Sequence, residues 1–145
     1  LFDNKENISI EYIGTPDAVI MGPKPQLTRV IVNLLTNAVQ ALEIMQEDKK
    51  ERGEEITPGI VRVLLRESSR EGWYEIAVED NGPGVPAENV DKVFNPKFTT
   101  KSSGSGLGLA MSRSIIEKCG GEILYRKSYS LDGACFLIRL PKSES

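Results

Sequence analysis

Between residues 26 and 50 the apolar positions fall on one side of a helix. Leu27, Val30, Ile31, Leu34, Leu35, Ala38, Leu42 and Met45 recur at spacings of three and four. That period makes one stripe and predicts an amphipathic helix from about Gln26 to about Lys50. Elsewhere the period is two. Residues 8–12 (ISIEY) alternate like a half-buried strand, and Ala18–Met21 predicts a short second one. Ile60–Arg66 and Trp73–Glu79 predict two strands joined by a polar turn, with Tyr74, Ile76 and Val78 on one face. Glu122–Lys127 and Ala134–Leu140 predict a closing hairpin. A short helix is expected near Glu88–Phe94. A longer one is expected at about 106–119, ending in Lys118 and a Gly120–Gly121 cap. Hairpins interleaved with helices predict an α+β fold: a two-layer sandwich whose mixed, mostly antiparallel sheet packs on helices.

Composition narrows the function classes. A chain of 145 residues is expected to form a single domain with a real core. A net charge of −3 gives no basic field for gathering nucleic acid. The apolar runs are too short to span a bilayer, so no direct membrane contact is expected, and no signal-peptide pattern opens the chain. Cys119 and Cys135 lie in apolar settings without metal-ligand spacing, which predicts reduced, buried thiols in a reducing compartment. There is no histidine, which removes most metal sites and catalytic dyads.

Three stretches carry candidate chemistry. On the first long helix Asn33, Asn37 and Gln40 share a polar flank beside the apolar stripe. Such a flank is either a solvated strip or a set of amide oxygens turned toward a cation, and Mg²⁺ beside a nucleotide is commonly held by one or two protein oxygens plus phosphate and water. In EDNGPGV (79–85), Asp80 ends a strand before Gly82 and Gly84. This is either a plain turn or a carboxylate placed to accept from an exocyclic amine in a desolvated pocket. In SGSGLGLA (103–110), Gly104, Gly106 and Gly108 precede a helix. Glycine is costly in a helix. It is explained either by a hinge or by bare backbone N–H groups that receive phosphate at the helix start. The Walker and dinucleotide spacings are both absent.

Taken in order, QLTRVIVNLLTNAVQA (26–41), DNGPGV (80–85), VFNPKFTTK (93–101), GSGLGLA (104–110) and GACFLIRLP (133–141) resemble the asparagine, first glycine, phenylalanine and second glycine boxes and the terminal strand of the ATP-binding catalytic domain of bacterial sensor histidine kinases. The wording is closest to the nitrogen-regulation type, and the likeness covers about residues 8–141. The resemblance implies a Bergerat-type fold that binds ATP and Mg²⁺ under a lid at 95–105, mobile without nucleotide and ordered with it. It implies that Asn37 holds Mg²⁺ with Asn33 supporting it, and that Asp80 accepts from the adenine amine between walls formed by Gly82, Gly84 and Val85. Phe94 and Phe98 are expected to clamp the base of the lid, with core packing alone as the alternative for Phe94. Thr99, Thr100 and Lys101 would lie near the phosphates, and Gly104, Gly106, Leu107, Gly108 and Leu109 would present backbone N–H groups to them. Asn33, Asn37 and Lys101 would then be the catalytic set.

The departures also carry expectations. Gln40 stands where many members of the family have a phosphate-contacting lysine, so Lys101 is expected to supply that cation. Pro23 stands where many have an aspartate. Asn33 stands where the related topoisomerase, chaperone and mismatch-repair ATPases have a glutamate, and an amide cannot activate water. The resemblance therefore implies transfer of the γ-phosphoryl group to a histidine on a separate dimerisation domain, and from there to a response regulator. The alternatives are a Bergerat-fold ATPase and a non-catalytic nucleotide sensor. The chain is expected to be a monomeric, cytoplasmic catalytic fragment, inactive in autophosphorylation without its acceptor domain. Its parent would be a homodimer, either free or anchored in the inner membrane.

Overall fold

A computed structural model describes residues 8–14, 24–95 and 108–141. The elements run β1 (Ile8–Ile13), α1 (Lys24–Glu51), β2 (Gly59–Glu67), β3 (Trp73–Asp80), a 3₁₀ helix (Ala87–Lys92), α2 (Gly108–Lys118), β4 (Glu122–Lys127) and β5 (Ala134–Pro141). The expected strand at Ala18–Met21 lies outside the described residues. The short helix expected at Glu88–Phe94 is instead a single 3₁₀ segment that stops at Lys92, so Phe94 follows it.

The strands form one sheet in the order β1-β2-β3-β5-β4 among the described residues. β1 joins β2 in parallel, and the other neighbours are antiparallel. The mixed, mostly antiparallel sheet packed on helices is thus the observed architecture. β3 lies at the centre, and its last residue, Asp80, falls opposite Val61 of β2.

Alternation decides what each sheet face does. One face carries Val61, Val63, Ile76, Val78, Ile123, Phe136, Ile138 and Leu140 against α1 and α2. The stripe predicted for α1 meets it. Val30, Leu34, Ala38 and Leu42 are buried there, and Leu27, Ile31, Leu35 and Met45 pack at its margin. The opposite face buries a narrow apolar band, Ala77, Cys135 and Leu137, flanked by Leu64 and Leu124.

No helix among the described residues covers that second face. Charged side chains cover it instead. Glu75 is 8% exposed and lies between Arg66 at 3.1 Å and Arg139 at 3.0 Å. Arg139 also reaches Glu122 at 3.2 Å. Burial alone would push the Glu75 carboxyl upward, but the bonds from Arg139 and Arg66 outweigh it and hold it below its ordinary value. The bonds to Glu75 and to Glu122 in turn raise Arg139. The aliphatic stems of such arginines shield apolar surface while their heads stay wet. Both cysteines are free. Cys135 is buried as expected, and burial pushes its thiol up. Cys119 is only half-buried, because it falls in the cap of α2 rather than in the core. No helix among the described residues is long and apolar enough to cross a membrane.

Candidate functional site

Asp80 is a buried carboxylate at the end of β3. It is 5% exposed. Its Oδ1 accepts from the Gly82 N–H at 2.8 Å and from the Ala134 N–H at 3.3 Å. A carboxylate held by two backbone donors keeps one orientation. The neighbouring side chain, Asn81, locks the strand exit. Its Oδ1 accepts from the Ile60 N–H at 2.8 Å, and its Nδ2 donates to the Pro58 carbonyl at 3.0 Å.

Glycines line this carboxylate. A Cβ on Gly133 would strike the Asp80 carbonyl and stand 2.7 Å from Oδ1. At Gly82 it would lie 3.1 Å from Oδ1 and 3.4 Å from Leu42 of α1. Gly84 has φ +74°, a left-handed conformation that favours glycine. Gly133 reaches Asp80 because the β4–β5 turn is tightly bonded. The Ser128 N–H donates to the Gly133 carbonyl at 2.7 Å, and the Ser128 hydroxyl donates to Glu79 at 2.7 Å.

The second focus lies where α1 crosses the start of α2. Asn33 Nδ2 donates to the Ser112 hydroxyl at 3.1 Å, and Ser112 is 2% exposed. A Cβ on Gly108 would fall 2.8 Å from Asn33 Oδ1, so only a bare backbone admits the amide so near the helix start. Leu109 packs into the core from the next position.

α1 therefore touches both foci, α2 at Asn33 and the glycine loop at Leu42. These are about 13 Å apart along the helix. Asn37 and Gln40 lie between them, and all three polar residues of the flank are half-buried rather than fully solvated. Val85 and Phe94 are also half-buried. Phe94 meets Phe136 edge-on, with centroids 6.1 Å apart, and the Arg113 guanidinium stands 5.8 Å over its ring.

Phe98, Thr99, Thr100, Lys101, Gly104, Gly106 and Leu107 lie outside the described residues, as does most of the expected lid. Among the described residues no group of three His, Cys, Asp or Glu side chains could hold a metal. Asn33, Asn37 and Gln40 offer neutral amide oxygens along that flank.

The sequence reading missed Asn81, Ser112, Tyr125, Gly133 and Ala134. Gly133 carried a signal, since it opens the terminal stretch GACFLIRLP. The serine and the tyrosine carried none, because their partners lie 79 and 40 residues away.

Residues 22–144 match the sequence profile of the histidine kinase-, DNA gyrase B- and HSP90-like ATPases. The two-component sensor PprA of Pseudomonas aeruginosa is 38% identical over 88% of this chain and 13% of its own length. The sensor histidine kinase ZraS of Escherichia coli is 36% identical over 84% of this chain and 23% of its own. The chain thus spans less than a quarter of either relative. In three dimensions it superimposes on the catalytic domain of the histidine kinase ThkA with a TM-score of 0.73, at 27% identity, over 94% of this chain and 80% of that one. A structure of ThkA in complex with the response regulator protein TrrA is similar with a TM-score of 0.68, at 26% identity, over 94% of this chain and 35% of that one.

Proposed function

The chain belongs to the family of histidine kinase-, DNA gyrase B- and HSP90-like ATPases, and from that premise we propose that it is the ATP-binding catalytic domain of a larger sensor histidine kinase. It binds ATP with Mg²⁺ and presents the γ-phosphoryl group to a histidine on a separate dimerisation domain. A response regulator then receives that group. The resemblance of five ordered motifs and the names of the relatives support this reading.

The observation that carries it is the Asp80 carboxylate, buried and oriented by two backbone N–H groups. Such a fixed acceptor suits an exocyclic amine and rejects a ring that offers a carbonyl at the same place. Gly82, Gly84 and Gly133 keep side chains away from the space around it. Asn37 is the residue that would hold Mg²⁺, which when bound supplies positive charge against the phosphate oxygens. Asn33 supports that end of α1 through Ser112, and Gln40 offers the phosphates a neutral hydrogen bond. Thr99, Thr100 and Lys101 act from the lid at 95–105. Gly104, Gly106, Leu107, Gly108 and Leu109 bring backbone N–H groups to the phosphates. The nucleophile belongs to another domain, so this domain's own work is positioning and charge neutralisation.

Hydrolysis of ATP by this chain is the weaker reading. Asn33 has no useful basicity, and its Nδ2 is engaged with Ser112. The test is calorimetry with ATP and GTP, with and without Mg²⁺, followed by transfer of labelled phosphate to an added histidine-bearing dimerisation domain. ATP-selective, Mg²⁺-dependent binding with transfer is expected. Equal ATP and GTP affinity, or steady phosphate release without transfer, would overturn the reading.

A further inference from the structure

The loop after Asp80 is pinned at both ends by the β4–β5 hairpin. At its start, the Asp80 carboxylate accepts from the Ala134 N–H at the head of β5. At its far end, the Val85 N–H donates to the Tyr125 hydroxyl of β4 at 3.0 Å. A Cβ on Gly84 would come within 3.2 Å of the same hydroxyl oxygen, so the loop backbone lies directly against the tyrosine tip.

The tyrosine itself cannot drift. Tyr125 is the cross-strand partner of Phe136, with ring centroids 5.3 Å apart. Phe136 is 9% exposed and carries Phe94 edge-on at 6.1 Å. Paired aromatic rings at these distances hold each other's orientation. The hydroxyl is therefore presented at a fixed height above the sheet, and the backbone of the glycine loop takes its position from it.

We infer that Tyr125 is a positioning residue for the wall formed by Gly82, Gly84 and Val85, and that through this wall it sets how strictly the pocket selects adenine. This rests on the nucleotide reading proposed above. Tyr125 acts without touching the reacting atoms. Gly82 and Gly84 give the loop freedom that would blur the wall. The Tyr125–Val85 bond removes that freedom at the end that Asp80 does not control. A wall held from both ends discriminates between two purine rings, whereas a wall held from one end moves to accommodate either.

Tyr125→Phe deletes the acceptor and keeps the ring on Phe136. Three measurements on this chain test it: amide hydrogen exchange at Val85, ATP and GTP affinity by calorimetry, and the melting midpoint. Exchange at Val85 should be about tenfold faster. The ATP dissociation constant should rise by roughly three- to tenfold, the loss expected for one hydrogen bond. The preference for ATP over GTP should fall, with little change in melting midpoint. Unchanged affinity and preference in Tyr125→Phe, beside a wild-type chain that binds ATP selectively, would overturn the role of Tyr125 and leave the nucleotide reading intact. Unchanged exchange at Val85 would overturn it too. A wild-type chain that binds no ATP would strike the nucleotide reading itself and remove Tyr125 as a nucleotide determinant with it.

Discussion

Gly133 and Asp80 share one space: a single methyl group on Gly133 would press into the Asp80 carbonyl and stand 2.7 Å from both its Oδ1 and the Gly82 nitrogen. The contact is with backbone on both sides, so it cannot be relieved by turning a side chain. Gly133→Ala should cost about 1–3 kcal/mol of stability, as overpacking does, and should weaken ATP binding in the same variant. Urea denaturation and calorimetry measure the two effects. A variant as stable and as tight as wild type would mean that the hairpin head moves freely.

Replacing Asp80 with asparagine keeps its size and its Oδ1 acceptor for Gly82 and Ala134. It also puts an NH₂ donor where the adenine amine needs an acceptor. Affinity for ATP should fall roughly 100-fold, combining the lost bond with a donor facing a donor. The melting midpoint should change little. Retained affinity in Asp80→Asn would remove the adenine assignment.

Gly108→Ala tests the approach of α1 to α2. Alanine is the better helix former by about 1 kcal/mol, yet its methyl group would lie 2.8 Å from Asn33 Oδ1 and 2.9 Å from Nδ2. The amide must turn away and release Ser112. Affinity for ATP should drop about tenfold with no loss of melting midpoint. A lower midpoint with unchanged affinity would make the contact a matter of packing alone.

Asn37→Ala should leave the fold intact and abolish the gain in ATP affinity that Mg²⁺ confers. Titrations with Mg²⁺ and with chelator then give the same dissociation constant. A variant whose affinity still rises with Mg²⁺ as in wild type would move the metal site elsewhere.

Glu75 gives the outer face of the sheet a pH dependence. Its folded carboxyl titrates below the ordinary 4.5, a net result of burial pushing it up and Arg139 and Arg66 pulling it further down. A depressed carboxylate contributes stability that is fully present above its unfolded value. That contribution is lost as pH falls through the folded value. Glu75→Gln should therefore destabilise the chain by about 2 kcal/mol at pH 7. The difference from wild type should shrink as the pH drops below about 4.5. Denaturation curves at pH 7 and at pH 3.5 measure it, and a constant difference between the two would show that the carboxylate charge contributes nothing.

The period of the apolar residues was enough for α1, α2 and the strands β1 to β5. The stripe on α1 and the alternation in β2, β3 and β5 are local signals, set by the geometry of one helix or one strand. The 3₁₀ segment was less legible, because six residues cannot reveal whether the turn tightens. The arginine–glutamate lattice over Ala77, Cys135 and Leu137 was illegible as a cover for apolar surface. Along the chain Arg66, Glu75 and Arg139 read only as polar positions of separate strands, and it is the register of β2, β3 and β5 that puts them side by side.

The candidate site divides the same way. Types and spacings along the chain determined the asparagine flank of α1, the carboxylate at the end of β3 and the two glycines that follow it, because each depends on neighbours within a turn or a loop. Only the tertiary structure decided what those residues meet: Gly133 and Ala134 at Asp80, Ser112 at Asn33, and Tyr125 at Val85. Each of these partners is brought in by strand pairing or helix crossing over 40 residues or more. Such contacts depend on the packing of the whole sheet against α1 and α2, which no local pattern encodes.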